Sequence, residues 1–307
     1  MSKKPTIAIS VGDLNGVGIE IALKSHKRVK KLCEPLYCIN KNLLLQAAKK
    51  LKVKIPKDFK LHETAGDFKI EAGKVSKKSG LYSYHSFMDA LQLCEDKKAD
   101  ACVTLPIHKE AWMKAGLVYK GHTDLMRKHF DKEAIMMLGC PQMFVALFTE
   151  HIPLKDVASS LTYKRLKNFL LDMHKSVQRE KIAVLGLNPH AGDNGVLGDE
   201  EKIIIKAIKS VNKKLGFKQF VGPVVPDVAF APYFRDNYNY FVAMYHDQGL
   251  APLKALHFDE SVNISLNLPI IRTSVDHGTA FDIAYKCKAK RLSYINAIES
   301  ALEFIKD

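Results

Sequence analysis

The feature that most constrains this chain is the alternation of short apolar runs with longer segments of helical period. Runs at 5–11, 35–40, 100–105, 142–148, 181–187 and 240–245 have the length of strands and are too short for helices. Segments 16–30, 41–51, 80–97, 107–115, 162–179, 199–215 and 293–306 are expected as helices. In 162–179, Leu166, Phe169, Leu170, Met173 and Val177 recur at steps of three and four, with cations opposite and Thr162 placed as the N-cap. Apolar strands between amphipathic helices predict α/β units around a parallel or mixed sheet. A length of 307 residues suits one large domain or two smaller ones, and no repeat, charge block or Gly/Ser linker marks a boundary.

Composition narrows the function classes. With 47% hydrophobic residues, 17 Gly and 12 Pro, the chain is neither disordered nor collagen-like. A net charge of +14 favours an anionic partner: nucleic acid, an acidic membrane or a phosphorylated metabolite. The cations are scattered, as at Lys49-Lys50, Lys77-Lys78, Lys97-Lys98 and Lys213-Lys214, which reads as a solvated surface and not a nucleic-acid groove. Cys33, Cys38, Cys94, Cys102, Cys140 and Cys287 form no C-x-x-C pair and read as small core residues in a reducing compartment. No export core follows Met-Ser-Lys-Lys-Pro, and no apolar stretch approaches the roughly 20 residues of a membrane span. A soluble cytoplasmic protein is expected, with neither nucleic acid nor membrane as partner.

In open α/β sheets, ligands bind beyond the carboxyl ends of the strands. Three expected strands deliver a histidine there: Thr149-Glu150-His151 after 142–148, Asn188-Pro-His190-Ala-Gly-Asp193 after 181–187, and His246-Asp247-Gln-Gly after 240–245. One such histidine reads as a capping or packing residue. Three together point to a metal or acid–base cluster, with Zn²⁺, Co²⁺ or Mn²⁺ suited to neutral imidazoles, and Asp193 and Asp247 available to ligate or to orient a ring. His26, His62, His129 and His174 are expected on the surface. His122, in Gly121-His122-Thr123-Asp124, sits where a Gly-led turn opens a helix, a place for either an anion or a simple Thr cap. Gly12-Asp-Leu-Asn-Gly16-Val-Gly18 fails the spacing of a dinucleotide loop. Lys254, Asn263 and Arg272 follow His246, and their cations could neutralise a phosphate or carboxylate.

Together these motifs resemble the 4-hydroxythreonine-4-phosphate dehydrogenase family. The matching stretches are Asp100-Ala-Cys-Val-Thr-Leu-Pro-Ile-His-Lys109, Gly121-His-Thr-Asp124, His151-Ile-Pro-Leu, Leu187-Asn-Pro-His190-Ala-Gly, Tyr245-His-Asp-Gln-Gly, Val262-Asn263 and Leu268-Pro-Ile-Ile-Arg272-Thr-Ser-Val-Asp-His-Gly-Thr-Ala280. The resemblance implies an isocitrate/isopropylmalate-dehydrogenase-like fold: two α/β/α domains with the active site in the cleft between them. The first domain would take 1–128 and 271–307, and the second 129–270 with the metal site and dimer contacts. It further implies a homodimer whose active site draws on both subunits. His151, His190 and His246 look like ligands of a divalent metal (Zn²⁺, Co²⁺, Mn²⁺ or Mg²⁺). His122, Thr123, Lys254, Asn263 and Arg272 look like substrate contacts, and Asp276, His277 and Gly278 like part of the NAD(P) site. This chain departs from the family pattern at Leu105, His108 and Val228, and its first loop lacks the family's prolines.

The implied reaction is NAD(P)-linked oxidation of 4-phosphooxy-L-threonine to 2-amino-3-oxo-4-phosphooxybutanoate. That β-keto acid loses CO₂ to give 3-amino-2-oxopropyl phosphate, on the route to pyridoxal 5′-phosphate. Lys254 and Asp247 are the candidates for the base. Two other readings are a dehydrogenase of the same superfamily acting on a four-carbon acid sugar 4-phosphate or a cyclic dihydrodiol, and a basic nucleic-acid-binding protein on a dead enzyme fold.

Overall fold

The computed structural model describes residues 4–178 and 181–306. The last residue of the expected helix 162–179 therefore lies outside the described residues, as do residues 1–3 and 307 of the expected first domain. The chain divides into two compact units. Unit 1 takes the described residues up to Lys132 with Val262–Ile264 and Leu268–Lys306, and unit 2 takes Glu133–Ser261 with Ser265–Asn267.

Unit 1 holds β1 (Thr6–Ser10), α1 (Gly18–Leu32), β2 (Glu34–Cys38), α2 (Lys41–Leu51), β3 (Lys60–His62), α3 (Lys77–Glu95), β4 (Ala101–Thr104), α4 (Lys109–Lys114) and α5 (His122–Phe130). Unit 2 holds β5 (Ile135–Cys140), β6 (Met143–Leu147), α6 (Val157–Ser160), α7 (Tyr163–Ser176), β7 (Ile182–Leu185), α8 (Glu201–Leu215), β8 (Phe220–Val224), α9 (Pro232–Arg235), β9 (Tyr240–Ala243) and α10 (His246–His257). The chain returns to unit 1 within β10 (Val262–Leu266) and ends there in β11 (Arg272–Val275) and α11 (Leu292–Lys306).

The unit 1 strands run in the order β3-β2-β1-β4-β11, every pair parallel. β1 and β4 sit in the middle and are almost wholly buried, as a strand covered by helices on both faces must be. One face packs Ala8, Cys38 and Cys102 against Phe87, Ala90 and Leu91 of α3 and Trp112 of α4. Trp112 is fully buried, and its indole N–H is satisfied by the Ser83 hydroxyl at 2.8 Å. Asn40 and Ser76 cap α2 and α3 by accepting from Leu43 N and Ser79 N.

The unit 2 strands run β5-β6-β9-β7-β8. β5 and β6 form an antiparallel hairpin, while β6, β9, β7 and β8 are mutually parallel, so the sheet is mixed as expected. β6, β7 and β9 are buried along their whole length. Val145, Leu147, Ala183, Leu185, Phe241 and Ala243 share a core with Leu250 and Leu253 of α10. Thr162 caps α7 by accepting from Arg165 N, as the sequence predicts.

Candidate functional site

Because β6, β7 and β9 are parallel neighbours, the segments that leave them emerge at one end of the unit 2 sheet. His151, His190 and His246 follow those three strands. The rings of His151 and His246 lie 5.4 Å apart between centroids. His246 opens α10, and its Nδ1 meets Asp247 Oδ1 at 2.6 Å. A carboxylate on one ring nitrogen sets the tautomer and leaves Nε2 for a ligand, the usual outer support of a metal-binding histidine. Imidazole nitrogens are donors of the kind that divalent transition-metal ions take. Among the described residues, however, no group of three His, Cys, Asp or Glu side chains converges to hold one. Within one chain the described residues give His190 no three-ligand set with this pair.

His190 lies on an unusual loop. His190, Ala191, Gly192, Asp193 and Asn194 all have positive φ, a single turn of left-handed helix. Each non-glycine residue in such a turn costs roughly 1–2 kcal/mol, less for Asp and Asn, so the surrounding structure has to compensate. Glu201, the first residue of α8 and only 5% exposed, supplies much of the compensation. Its Oε1 accepts from Leu187 N at 2.9 Å and Asn188 N at 2.7 Å, and its Oε2 accepts from Asn188 Nδ2 at 2.9 Å. Asn188 Nδ2 also donates to Glu200 at 2.7 Å, which holds the Glu200 carboxyl below its usual range. Gly192 is required here: its φ is +78°, and a Cβ would stand 2.6 Å from Glu201 Oε2 and 2.9 Å from the Gly198 carbonyl. No sequence motif marks Glu201, which acts from the start of the next helix.

In unit 1, Arg272 opens β11 and is 2% exposed. Its Nη2 donates to Thr104 Oγ1, at the end of the neighbouring β4, at 2.6 Å. Burial lowers its pKa to about 10, so it remains a cation at neutral pH. His122, the first residue of α5, stands edge-on to Phe87 and Trp112. Burial first, and the Arg272 charge second, push its pKa well below the ordinary value, so the ring is neutral. Its Nε2 is buried with no hydrogen-bond partner, as is Asn263 Oδ1 in β10. Buried polar atoms without partners are the exception in folded proteins and call for a ligand or a water. Thr123 follows His122 in the first turn of α5, at the positive end of the helix dipole. A buried guanidinium, a neutral imidazole and a helix N-terminus make an anion-receiving environment.

The other predicted positions are more open. Lys254 lies on α10 in unit 2 with its ammonium 5.4 Å from the centre of the Phe258 ring. Asp276, His277 and Gly278 form the loop after β11; Asp276 N donates to Ser293 Oγ, and His277 is exposed. Beside this loop in unit 1, Val17 N donates to the Thr279 carbonyl and Asp13 N to the Pro106 carbonyl, so three strand-end loops are tied together. Gly12, with φ +68°, permits this approach, since a Cβ would overlap the Pro106 carbonyl. Asp13 is buried against Asn15 N and Ser79 Oγ, and desolvation raises its pKa to about 6. His108 stacks on Phe281 at 4.6 Å.

Two expectations require correction. His26 is not a surface residue: it is 1% exposed, held between the Tyr37 hydroxyl and Asp58, because α1 turns it inward under Phe59. Cys287 is exposed, unlike the five buried cysteines, because it lies in the irregular segment before α11.

Comparison with known proteins extends this picture. The family model of pyridoxal phosphate biosynthetic protein PdxA matches residues 31–301. A 4-hydroxythreonine-4-phosphate dehydrogenase from Sulfurimonas denitrificans is 70% identical over 299 residues, 97% of each protein. One from Campylobacter fetus subsp. fetus is 57% identical over 300 residues, 97% of this chain and 98% of the relative. The crystal structure of a 4-hydroxythreonine-4-phosphate dehydrogenase from Burkholderia phymatum aligns over 99% of both chains with a TM-score of 0.84 at 31% identity. The fold is therefore of the α/β dehydrogenase type.

Proposed function

The chain belongs to the pyridoxal phosphate biosynthetic protein PdxA family, and from that premise we infer that it oxidises 4-phosphooxy-L-threonine to 2-amino-3-oxo-4-phosphooxybutanoate in a metal-dependent step. It is an oxidoreductase of pyridoxal phosphate biosynthesis that takes a nicotinamide cofactor. The relatives' shared activity favours the amino acid substrate over a four-carbon acid sugar phosphate.

The observation that carries the metal reading is the His151–His246 pair with Asp247 on Nδ1 of His246, at the ends of parallel strands. We assign the metal to His151, His190 and His246, with the set completed in a homodimer. Leu154 and Val196, on the loops that carry His151 and His190, are 69% and 78% exposed, and a second copy would cover them. When bound, a divalent cation (Zn²⁺, Co²⁺, Mn²⁺ or Mg²⁺) supplies Lewis acidity toward the substrate alcohol.

The residues of the chain do the rest. Arg272, His122 and Thr123 bind the phosphate dianion: Arg272 by charge, His122 by its unpartnered Nε2, Thr123 from the helix N-terminus. Asn263 orients the substrate through its unpartnered Oδ1. Asp247 is engaged with His246, which leaves Lys254, as the neutral amine, to take the proton of the C3 hydroxyl; Asp276, His277 and Gly278 would hold the NAD(P)⁺, which would serve as the hydride acceptor. The product is a β-keto acid and loses CO₂ to give 3-amino-2-oxopropyl phosphate. We infer a cytoplasmic enzyme whose partner is its phosphorylated substrate. No described helix is long and apolar enough to cross a bilayer.

Side-by-side turnover of 4-phosphooxy-L-threonine and threonate 4-phosphate tests the substrate. NADH or NADPH formation from the amino acid is expected, and turnover of the acid sugar alone would refute it.

A further inference from the structure

We propose that Glu201 is a positioning residue: its buried carboxylate clamps the exit of β7 and thereby holds His190 in the left-handed turn from which that histidine reaches the metal. This rests on the reading of His190 as a ligand. The loop leaves β7 at Leu185 and re-enters regular structure at α8, and the same carboxylate grips its near end through Leu187 N, Asn188 N and Asn188 Nδ2. At the far end Glu201 is itself the first residue of α8, where the helix dipole favours a negative charge. One side chain thus ties the two ends of the loop together.

Between those ends the chain folds on itself. Ala191 N donates to the Asn188 carbonyl, Leu197 N to the Gly192 carbonyl and Val196 N to the Asp193 carbonyl. The clearances at Gly186, Gly192 and Gly198 show how tightly it closes: a Cβ on Gly192 would meet Glu201, one on Gly198 would overlap Asn188 Nδ2, and one on Gly186 would stand 2.9 Å from the Ala191 Cβ. A run of left-handed residues relaxes toward ordinary φ values unless its ends are pinned. Without the carboxylate Leu187 N and Asn188 N lose their acceptor and Asn188 Nδ2 keeps only Glu200, so the His190 backbone loses the anchor that holds it at φ +52°.

The test uses Glu201→Gln and Glu201→Ala, with His190→Ala as the ligand control and Glu20→Gln as the structural control. Glu20 is a buried unit 1 carboxylate that likewise accepts two loop amides, Cys287 N and Ala289 N. Three quantities are read: hydrogen exchange of the 187–198 segment in metal-free protein, Zn²⁺ affinity by competition titration, and kcat and KM at saturating Zn²⁺. In both Glu201 variants, exchange in 187–198 is expected to rise and Zn²⁺ affinity to fall about ten- to a hundred-fold, the range for lost outer-shell partners of metal ligands. Glu20→Gln is expected to change neither. Unchanged exchange in the Glu201 variants would overturn the clamp. Faster exchange with parental Zn²⁺ affinity and parental kcat would overturn the positioning role, and so would an equal loss of affinity in Glu20→Gln. If His190→Ala alone leaves Zn²⁺ affinity intact, the ligand reading fails instead. The positioning role is then decided by whether kcat/KM falls tenfold in Glu201→Gln and not in Glu20→Gln. Should Glu201→Ala not fold, Glu201→Gln, which retains one acceptor oxygen, decides the question.

Discussion

Arg272 combines burial with charge, and that combination dictates how it must be tested. Lysine would keep the charge but lose the planar fork that reaches Thr104. Arg272→Lys is expected to raise the KM for the phosphorylated substrate about ten- to a hundred-fold, corresponding to roughly 1.5–3 kcal/mol for a hydrogen bond to a charged group. Steady-state kinetics check this, and an unchanged KM would remove Arg272 from the phosphate site. Asp13 makes a prediction of a different kind. Its folded pKa of about 6 exceeds the ordinary aspartate value of 3.8 because burial penalises the anion. The folded state therefore holds the proton more tightly, and this contribution to stability is complete below pH 4 and lost as pH rises through 6. Asp13→Asn should gain on the parent between pH 4 and 6, by on the order of 3 kcal/mol at most. Denaturant titrations at the two pH values measure the gain. His122 has the opposite sign: its lowered pKa costs stability as pH falls below 6.5, and His122→Gln should flatten that loss.

At the scale of elements, what could be read from sequence follows from how each element is buried. β6, β7 and β9 are apolar on both faces, so each stands out as a continuous run, and the histidines after them mark one end of a sheet. The strands at 60–62, 220–224, 262–266 and 272–275 do not stand out. β3 has three residues, β8 is interrupted by Gly222-Pro223, and β10 and β11 carry Asn263, Ser265, Arg272, Thr273 and Ser274. Polar residues enter β11 because it pairs with β4 through the backbone while Thr273 Oγ1 and the Arg272 fork find partners across the fold. The left-handed turn leaves a trace in Gly192-Asp193-Asn194-Gly195, residues that tolerate positive φ. Its clamp leaves none, since Glu201 acts from the start of the next helix. Gly192→Ala should destabilise the protein by about 1–3 kcal/mol, because it adds a Cβ at φ +78° against Glu201. Thermal unfolding followed by circular dichroism reads this, and a parental Tm would show that the turn is not held as described.

At the scale of the whole molecule, the three histidines are related by the fold but are not gathered in a single chain. Strand order places their segments at one end of the unit 2 sheet, and among the described ring contacts His151 meets His246. The sequence motifs name all three, yet no single sequence shows what an associated copy would bring together. Exposed Leu154 and Val196 on the same loops give association a physical reason. Sedimentation at micromolar concentration should find a dimer, and Leu154→Asp with Val196→Asp should shift it toward monomer with loss of turnover. The most direct test of the central claim is NADH formation from 4-phosphooxy-L-threonine before chelation, after chelation and after divalent metal is added back, in the parent and in His190→Ala. The account predicts turnover that chelation abolishes and metal restores in the parent alone. Full activity in the chelated parent, or parental activity and metal content in His190→Ala, would contradict it.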